Sequence, residues 1–340
     1  MKFQSIQALR ALAAIMVIVF HSSIIIPQPD IKGTLWTIPG FTDFGFFGVN
    51  LFFVISGFII ADVLSKESFS ILSYFKKRFF RIYPLLWVSM LLGLYHYYIC
   101  KWFSYEFVHS TQVDPLGLIK SALIFPQADY PFWQPAWTLE HEVIFYLIAV
   151  IIAPFFGLRA LAILLLCLGT IGSIFNVPWD YHLTAYAQIY FAAGIAAYGL
   201  KNQPLFRSGA VALIALGLSY ARIYGVINYD EWLFHYTFAF GWAALIVSML
   251  HLEKNHIKIP KVLVSIGDAS YSLYLLHWLL IPIMATFRDI FGGNAELWRW
   301  GFVLVSLGVA FLSYNLFEKP IISFSHRTFG GFLHRVKGLG

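Results

Sequence analysis

Apolar runs of close to 20 residues recur along the whole chain, separated by short segments that hold most of its charge. At about 1.5 Å per residue, a helix of that length crosses a hydrocarbon core roughly 30 Å thick. The pattern predicts spans at about residues 6–27, 43–63, 80–99, 137–156, 159–175, 182–200, 207–226, 232–252, 267–290 and 299–318. Stretches such as 161–168 are apolar without alternation, which argues against a β-barrel, whose strands alternate every second residue. The expected fold class is therefore all-α, an integral membrane bundle of about ten transmembrane helices. The first run holds Arg10 and His21 and ends without a small-residue cleavage site, so it reads as a retained helix and not a signal peptide. A long connection at about residues 100–135 carries Trp102, Trp133, four prolines and a short apolar piece at 116–125. It is expected to dip back into the membrane, either as an interfacial loop with aromatic anchors or as a lid over a second substrate.

Composition agrees with this pattern: 59% of the 340 residues are hydrophobic and 12% are charged, against about 25% charged in soluble domains. The net charge of +6 does not point to a nucleic-acid partner, because the basic residues sit in loops between spans. With the N-terminus inside, sixteen of the 23 Lys and Arg fall on cytoplasmic segments and six on the opposite face. The positive-inside rule thus places both termini in the cytoplasm, with the last ~20 residues as a tail. No internal repeat or separate soluble segment is visible, so residues 1–340 read as a single membrane domain. Cys100 and Cys167 make no disulfide framework, and the scattered histidines offer no metal-ligand spacing.

Several polar residues lie inside or beside the spans, where they are costly and mark functional candidates. Arg10 and His21 are eleven positions apart, within about 20° of three full turns, so they share a helical face about 16 Å apart along the axis. Together they could line one cavity, although Arg10 could instead snorkel to the headgroups. Arg78 and Arg81, three apart in a Lys76-Lys77-Arg78 cluster, share another face. Paired guanidinium groups suit phosphates bidentately, and equally a lipid-headgroup or stop-transfer role. Trp137, Glu140, His141 and Glu142 open the fourth span. Glu142, followed directly by apolar residues, is the expected buried acid, while Trp137, Glu140 and His141 could be interfacial. Ser270, Tyr274 and His277 follow i, i+4, i+7 spacing and should face the bundle, as proton path, substrate contact or interhelical glue.

These pieces, in order, resemble the membrane acyltransferases of the acyltransferase-3 type. The resemblance rests on Gln7-Ala-Leu-Arg10 with His21, Gly48-Val-Asn-Leu-Phe-Phe-Val-Ile-Ser56-Gly57-Phe58, and Arg78-x-x-Arg81-Ile-Tyr-Pro84. It continues through Trp137-Thr-Leu-x-x-Glu142-x-x-Phe145-Tyr146, Gly267-x-x-Ser270-Tyr271-x-x-Tyr274-x-x-His277 and Tyr314-x-x-x-Glu318-Lys-Pro320. The N-terminal stretch is most similar to the exopolysaccharide-acetylating branch, that of the succinoglycan acetyltransferase. Asn50 stands where many relatives carry Asp, and no hydrolase-like C-terminal domain follows, so acyl transfer is expected to finish within the membrane domain.

The resemblance implies an O-acyltransferase of a bacterial inner membrane. It would move an acyl group, usually acetyl, from cytoplasmic acyl-CoA to a hydroxyl of a lipid-linked or exported polysaccharide, without a metal. Arg10, Arg78 and Arg81 would hold the acyl-CoA, and His21 would act as general base with Glu142 orienting it; a transient acyl-His21 is the rival chemistry. Trp137, Ser56, Ser270, Tyr274 and His277 would support the substrates. Two other classes compete: a proton-coupled transporter or flippase of a glycan or lipid intermediate, and a structural subunit whose polar residues only lock helices together.

Overall fold

The computed structural model describes residues 3–25, 45–102, 113–175 and 182–325. Among them the secondary structure is helical, with no strand. The helices are α1 (Gln4–Ile25), α2 (Gly48–Leu64), α3 (Ile71–Trp102), α4 (Pro115–Leu123), α5 (Trp137–Phe175) and α6 (Ala187–Gly199), followed by α7 (Leu205–Ile223), α8 (Glu231–Lys254), α9 (Lys261–Asp268), α10 (Ser270–Phe291) and α11 (Ala295–Ser313). A π-helical stretch, Tyr314–Glu318, continues from α11. Among the described residues seven helical segments are long and apolar enough to cross a membrane, and the chain is a multi-pass membrane protein.

Each of the ten predicted spans falls largely on a helical segment. The 39-residue α5 consists of two helical halves, on which the spans predicted at 137–156 and 159–175 fall separately. Its continuity breaks at Gly157, where φ is 82° and ψ 168°, three residues after Pro154. That backbone is open only to glycine, so the short Pro-x-x-Gly segment makes the bend. The span predicted at 182–200 is helical only over the 13 residues of α6, about 20 Å. Predicted apolar residues 116–125 correspond to α4, opened by Pro115 and capped by the Asp114 carboxylate, which accepts from Gly117 N at 2.9 Å. Residues 103–112 of that connection, and 326–340 of the expected tail, lie outside the described residues.

The chain divides into two compact units, Met1–Glu67 with Trp137–Asp268, and Ser68–Ala136 with Ala269–Gly340. In the first, α1 is the buried centre: Ala11, Ala13, Ala14, Val17 and Ile18 are almost wholly covered. Small residues let neighbouring backbones meet, as expected where helices gain little from hydrophobicity alone. Gly57 of α2 lies on the Phe191 carbonyl of α6, and Gly194 of α6 on the Val54 carbonyl of α2. A Cβ at either would overlap backbone atoms that cannot yield. The α1 N-terminus is capped by a residue 248 positions away in sequence: the Glu253 carboxylate accepts from Gln4 N and Ser5 N at 2.9 Å and from Ser5 Oγ at 2.5 Å. Anionic charge there complements the helix dipole. Gln7 adds a second tie, its amide donating to the Gly267 carbonyl and the Asp268 carboxylate at 3.2 Å.

In the second unit, α3 carries Pro84 within its 32 residues, and α10 packs on it and on α11. Tyr271 Oη donates to the Ile82 carbonyl at 2.7 Å, tying α10 to α3. The Trp133 indole N–H donates to the Leu275 carbonyl at 3.2 Å, and its ring fills the space over Gly93.

Candidate functional site

In the first unit, three polar arrangements involve the predicted site residues. Arg10 and His21 sit on the uninterrupted α1 as half-buried residues of a mostly buried helix. Between them on the same stripe, Ala14 and Val17 are covered, so the face opens at its two polar ends and is closed in the middle. The His21 ring packs 5.3 Å from that of Phe20, which meets Phe46 at the same separation.

The second arrangement joins α2 to α5. Tyr146 Oη donates to Glu142 Oε2 at 2.6 Å, and Ser56 Oγ lies 3.3 Å from Tyr146 Oη. Because the Tyr146 proton is committed to a carboxylate, Ser56 is the donor to the phenol oxygen. Ser56, Tyr146 and Glu142 therefore form a chain of oriented hydrogen bonds ending on the acid. The i, i+4 spacing of Glu142 and Tyr146 on one helix produces half of it.

The third was not foreseen. Glu140 Oε2 lies 2.7 Å from His182 Nε2, with the two side chains 1% and 8% exposed. The Gln188 amide donates to the His182 carbonyl at 3.1 Å, fixing the segment that leads into α6. His141, 1% exposed, packs its ring 4.7 Å from that of His182 and edge-on to Trp137 at 5.7 Å, with Phe53 of α2 behind both. This corrects the expected burial. Glu140 and His141 are interior, whereas Glu142, the expected buried acid, is half-buried. Depth along the sequence was the wrong guide, since residues 140 and 142 project about 200° apart on a helix and the packing of α2 and α6 selects the side. The signal available was Glu-His at adjacent positions beside Trp137, but nothing in the sequence pairs residue 140 with residue 182.

In the second unit, Arg81 of α3 holds Glu318 through Nη1–Oε1 at 3.2 Å, and Ser272 Oγ donates to the other carboxylate oxygen at 2.7 Å. Glu318 is nearly covered, while the Arg81 side chain is 27% exposed. Arg81 Nη2 is buried and has no hydrogen-bond partner among the described residues. Its guanidinium carbon stands 6.0 Å from the centre of the Tyr271 ring, and that of Arg78 5.9 Å from Tyr74. The π-helical turn places Glu318 at the end of the Tyr314-to-Glu318 motif; such turns often coincide with functional positions. Helical spacing pairs Arg78 with Arg81, but nothing along the chain marks Glu318 and Ser272 as the groups that hold Arg81.

The stripe of Ser270, Tyr274 and His277 is buried. His277 Nδ1 donates to the Leu273 carbonyl at 3.0 Å, which leaves Nε2 as the acceptor. Ser270 Oγ has no partner among the described residues. Among those residues, no group of three or more His, Cys, Asp or Glu is placed to hold a metal ion.

Comparison with known proteins bears directly on these motifs. A family model described as an acyltransferase domain matches residues 3–318, across both units. The exopolysaccharide production protein ExoZ of Rhizobium meliloti is 26% identical, over 81% of this chain and 89% of that protein. The putative peptidoglycan O-acetyltransferase YrhL of Bacillus subtilis is 22% identical, over 98% of this chain and 57% of its own length. The O-acetyltransferase OatA of Staphylococcus aureus is 23% identical, over 98% and 59%. The chain thus spans less than two thirds of the last two relatives. No solved structure matches. The family match from the first described helix to Glu318, with the ordered motifs now placed on their helices, shows that the chain belongs to the acyltransferase-3 family and is an acyltransferase, transferring groups other than amino-acyl groups.

Proposed function

We propose that this protein is an O-acetyltransferase of a bacterial inner membrane, taking acetyl from cytoplasmic acetyl-CoA and placing it on a hydroxyl of a lipid-linked or exported polysaccharide. Residues 1–340 act as one acyltransferase domain of about ten spans, with both termini in the cytoplasm. The observation that carries the donor assignment is the Arg81 guanidinium, held from one side by Glu318 and Ser272, with Nη2 a buried donor that has no partner among the described residues. Such a group is ready for an anionic oxygen, and a phosphate of acyl-CoA supplies one. Arg78, one helical turn away on the same face, adds a second guanidinium, and Arg10 is the third basic residue assigned to the anionic donor.

For the chemistry, His21 takes the proton of the sugar hydroxyl as its oxygen attacks the thioester carbonyl. The carbon–sulfur bond breaks, and the CoA thiolate leaves and is protonated. Glu142, aligned through Tyr146 and Ser56, orients the base. Trp137, Ser270, Tyr274 and His277 support the bound substrates. The polysaccharide acceptor is supported by the likeness to ExoZ, and the acetyl group by the O-acetyltransferase relatives.

The test is acetyl transfer from labelled acetyl-CoA by the purified protein in proteoliposomes. His21→Ala should lower the rate by about 10²–10⁴-fold, the contribution of a general base. Undiminished transfer would exclude His21 from the chemistry. A label retained on unfolded wild-type protein without acceptor would replace the general-base step by an acyl-His21 intermediate.

A further inference from the structure

Within the first unit, α6, α7 and α8 enclose a groove of about 190 Å³. Its walls are apolar, with Ala197 of α6 facing Ala244 and Val247 of α8, closed by Val211 and Phe240. Alanine on both α6 and α8 keeps it open where longer side chains would fill it. Ser208, in the lining, accepts from Ser248 Oγ at 3.0 Å. Apart from Gln203, Arg207 and Ser208 the lining is hydrocarbon, and a space bounded mostly by apolar side chains is suited to hydrocarbon more than to water. The adjoining outer face of α7 is exposed and apolar, with Leu213 79% and Ile214 64% accessible, as expected of a surface in contact with lipid.

Arg207 lies in the groove lining, at the start of α7. It is exposed and has no ion pair or hydrogen bond among the described residues. The first turn of α7 carries no acidic residue, and no Asp or Glu is among the lining residues. The groove therefore combines an apolar slot with one uncompensated cation at its end. A zwitterionic headgroup brings its own ammonium and meets no acid here, whereas a phosphate with net negative charge matches the guanidinium. Basic positions between membrane helices bind anionic headgroups on this principle.

We propose that the α6–α7–α8 groove is a binding site for an anionic phospholipid, with one acyl chain between Ala197 and Ala244 and the phosphate on Arg207. The site is independent of the acyl-transfer reading.

A photoreactive test uses the full chain in phosphatidylcholine nanodiscs containing a trace of phosphatidylglycerol with a diazirine on one acyl chain. Label should map to the groove residues of α7 and α8, and unlabelled phosphatidylglycerol should displace it at least tenfold more effectively than added phosphatidylcholine. Arg207→Gln should reduce that preference to within about twofold, and Ala244→Phe should suppress labelling of the groove. Equal competition by the two lipids in the wild type, or a tenfold preference that survives Arg207→Gln, would overturn the assignment. So would equally effective displacement by an uncharged long-chain alcohol, which would give the slot to hydrocarbon without a charged head. Because Arg207 is exposed, its substitution leaves the core intact and carries the test if Ala244→Phe does not fold.

Discussion

Each unit buries one carboxylate against a basic side chain, and the two pairs differ in what they leave open. In the first unit, Glu140 and His182 cover each other almost completely, with the Gln188 amide and the rings of His141, Trp137 and Phe53 closing the surroundings. In the second, Glu318 is equally covered, but its partner Arg81 stays partly accessible and keeps a buried N–H₂ group without an acceptor among the described residues. A closed pair satisfies its own polarity and serves as a lock between α5 and the segment before α6. An open pair fixes the direction of an arginine while leaving donors for something else. Charge alone does not distinguish them; the fraction of donors already used does.

The largest effect expected from this contrast is on stability. Glu140→Ala should destabilise the protein by about 3–5 kcal/mol, the range for removing one partner of a buried pair, seen as a lower midpoint of thermal unfolding in detergent. Glu140→Gln, which retains an acceptor for His182, should lose less. If Glu140→Ala melts like the wild type yet no longer transfers acetyl, the pair belongs to the chemistry and the distinction between lock and donor collapses.

Next in size is the open pair. Arg81→Ala should weaken acetyl-CoA binding by about 1.5–3 kcal/mol, the net value of a charged hydrogen bond, measured by equilibrium binding to the protein in detergent. Arg81→Lys should not restore it, since a point charge cannot reproduce the fork held by Glu318. Unchanged affinity in both variants would remove the phosphate role. Glu318→Gln keeps an acceptor for Ser272 but releases the charge that orients Arg81, and the loss of affinity should be near 1 kcal/mol. A loss as great as that of Arg81→Ala would mean that Glu318 does more than position it.

The smallest change sharpens the comparison on α5 itself. Tyr146→Phe removes the hydrogen bond donated to Glu142, which is half-buried and has water as an alternative partner, and the one accepted from Ser56, whose hydroxyl can turn to a carbonyl of its own helix, so the net cost should be about 0.5–1.5 kcal/mol. The readout is a modest drop in acetyl-transfer rate with the melting midpoint nearly unchanged. A drop in melting comparable with that of Glu140→Ala would place Glu142 among the locks.

Much of the fold was legible along the chain, because a helix in hydrocarbon must satisfy its backbone internally and so announces itself as an apolar run of fixed length. Periodicity also placed Ser270, Tyr274 and His277 on a covered face, and Arg78 with Arg81 on one side of α3. The break inside α5 at Gly157 falls between the spans predicted at 137–156 and 159–175, so it too was legible.

The candidate site was legible as residue types and motifs, and the ordered set was specific enough to indicate the family. Its wiring was not. Helical spacing relates residues within one element, so it links Glu142 to Tyr146 but is silent on Glu140 with His182, Arg81 with Glu318, or Glu253 with the start of α1, pairs separated by 42, 237 and 248 positions. Which of two carboxylates on α5 is buried depends on the side that α2 and α6 cover. By itself, then, the sequence determined a helical membrane protein with an acyltransferase's ordered motifs. Only the tertiary structure decided which polar groups lock the bundle and which keep a donor free, because that depends on partners brought together by packing across long stretches of chain.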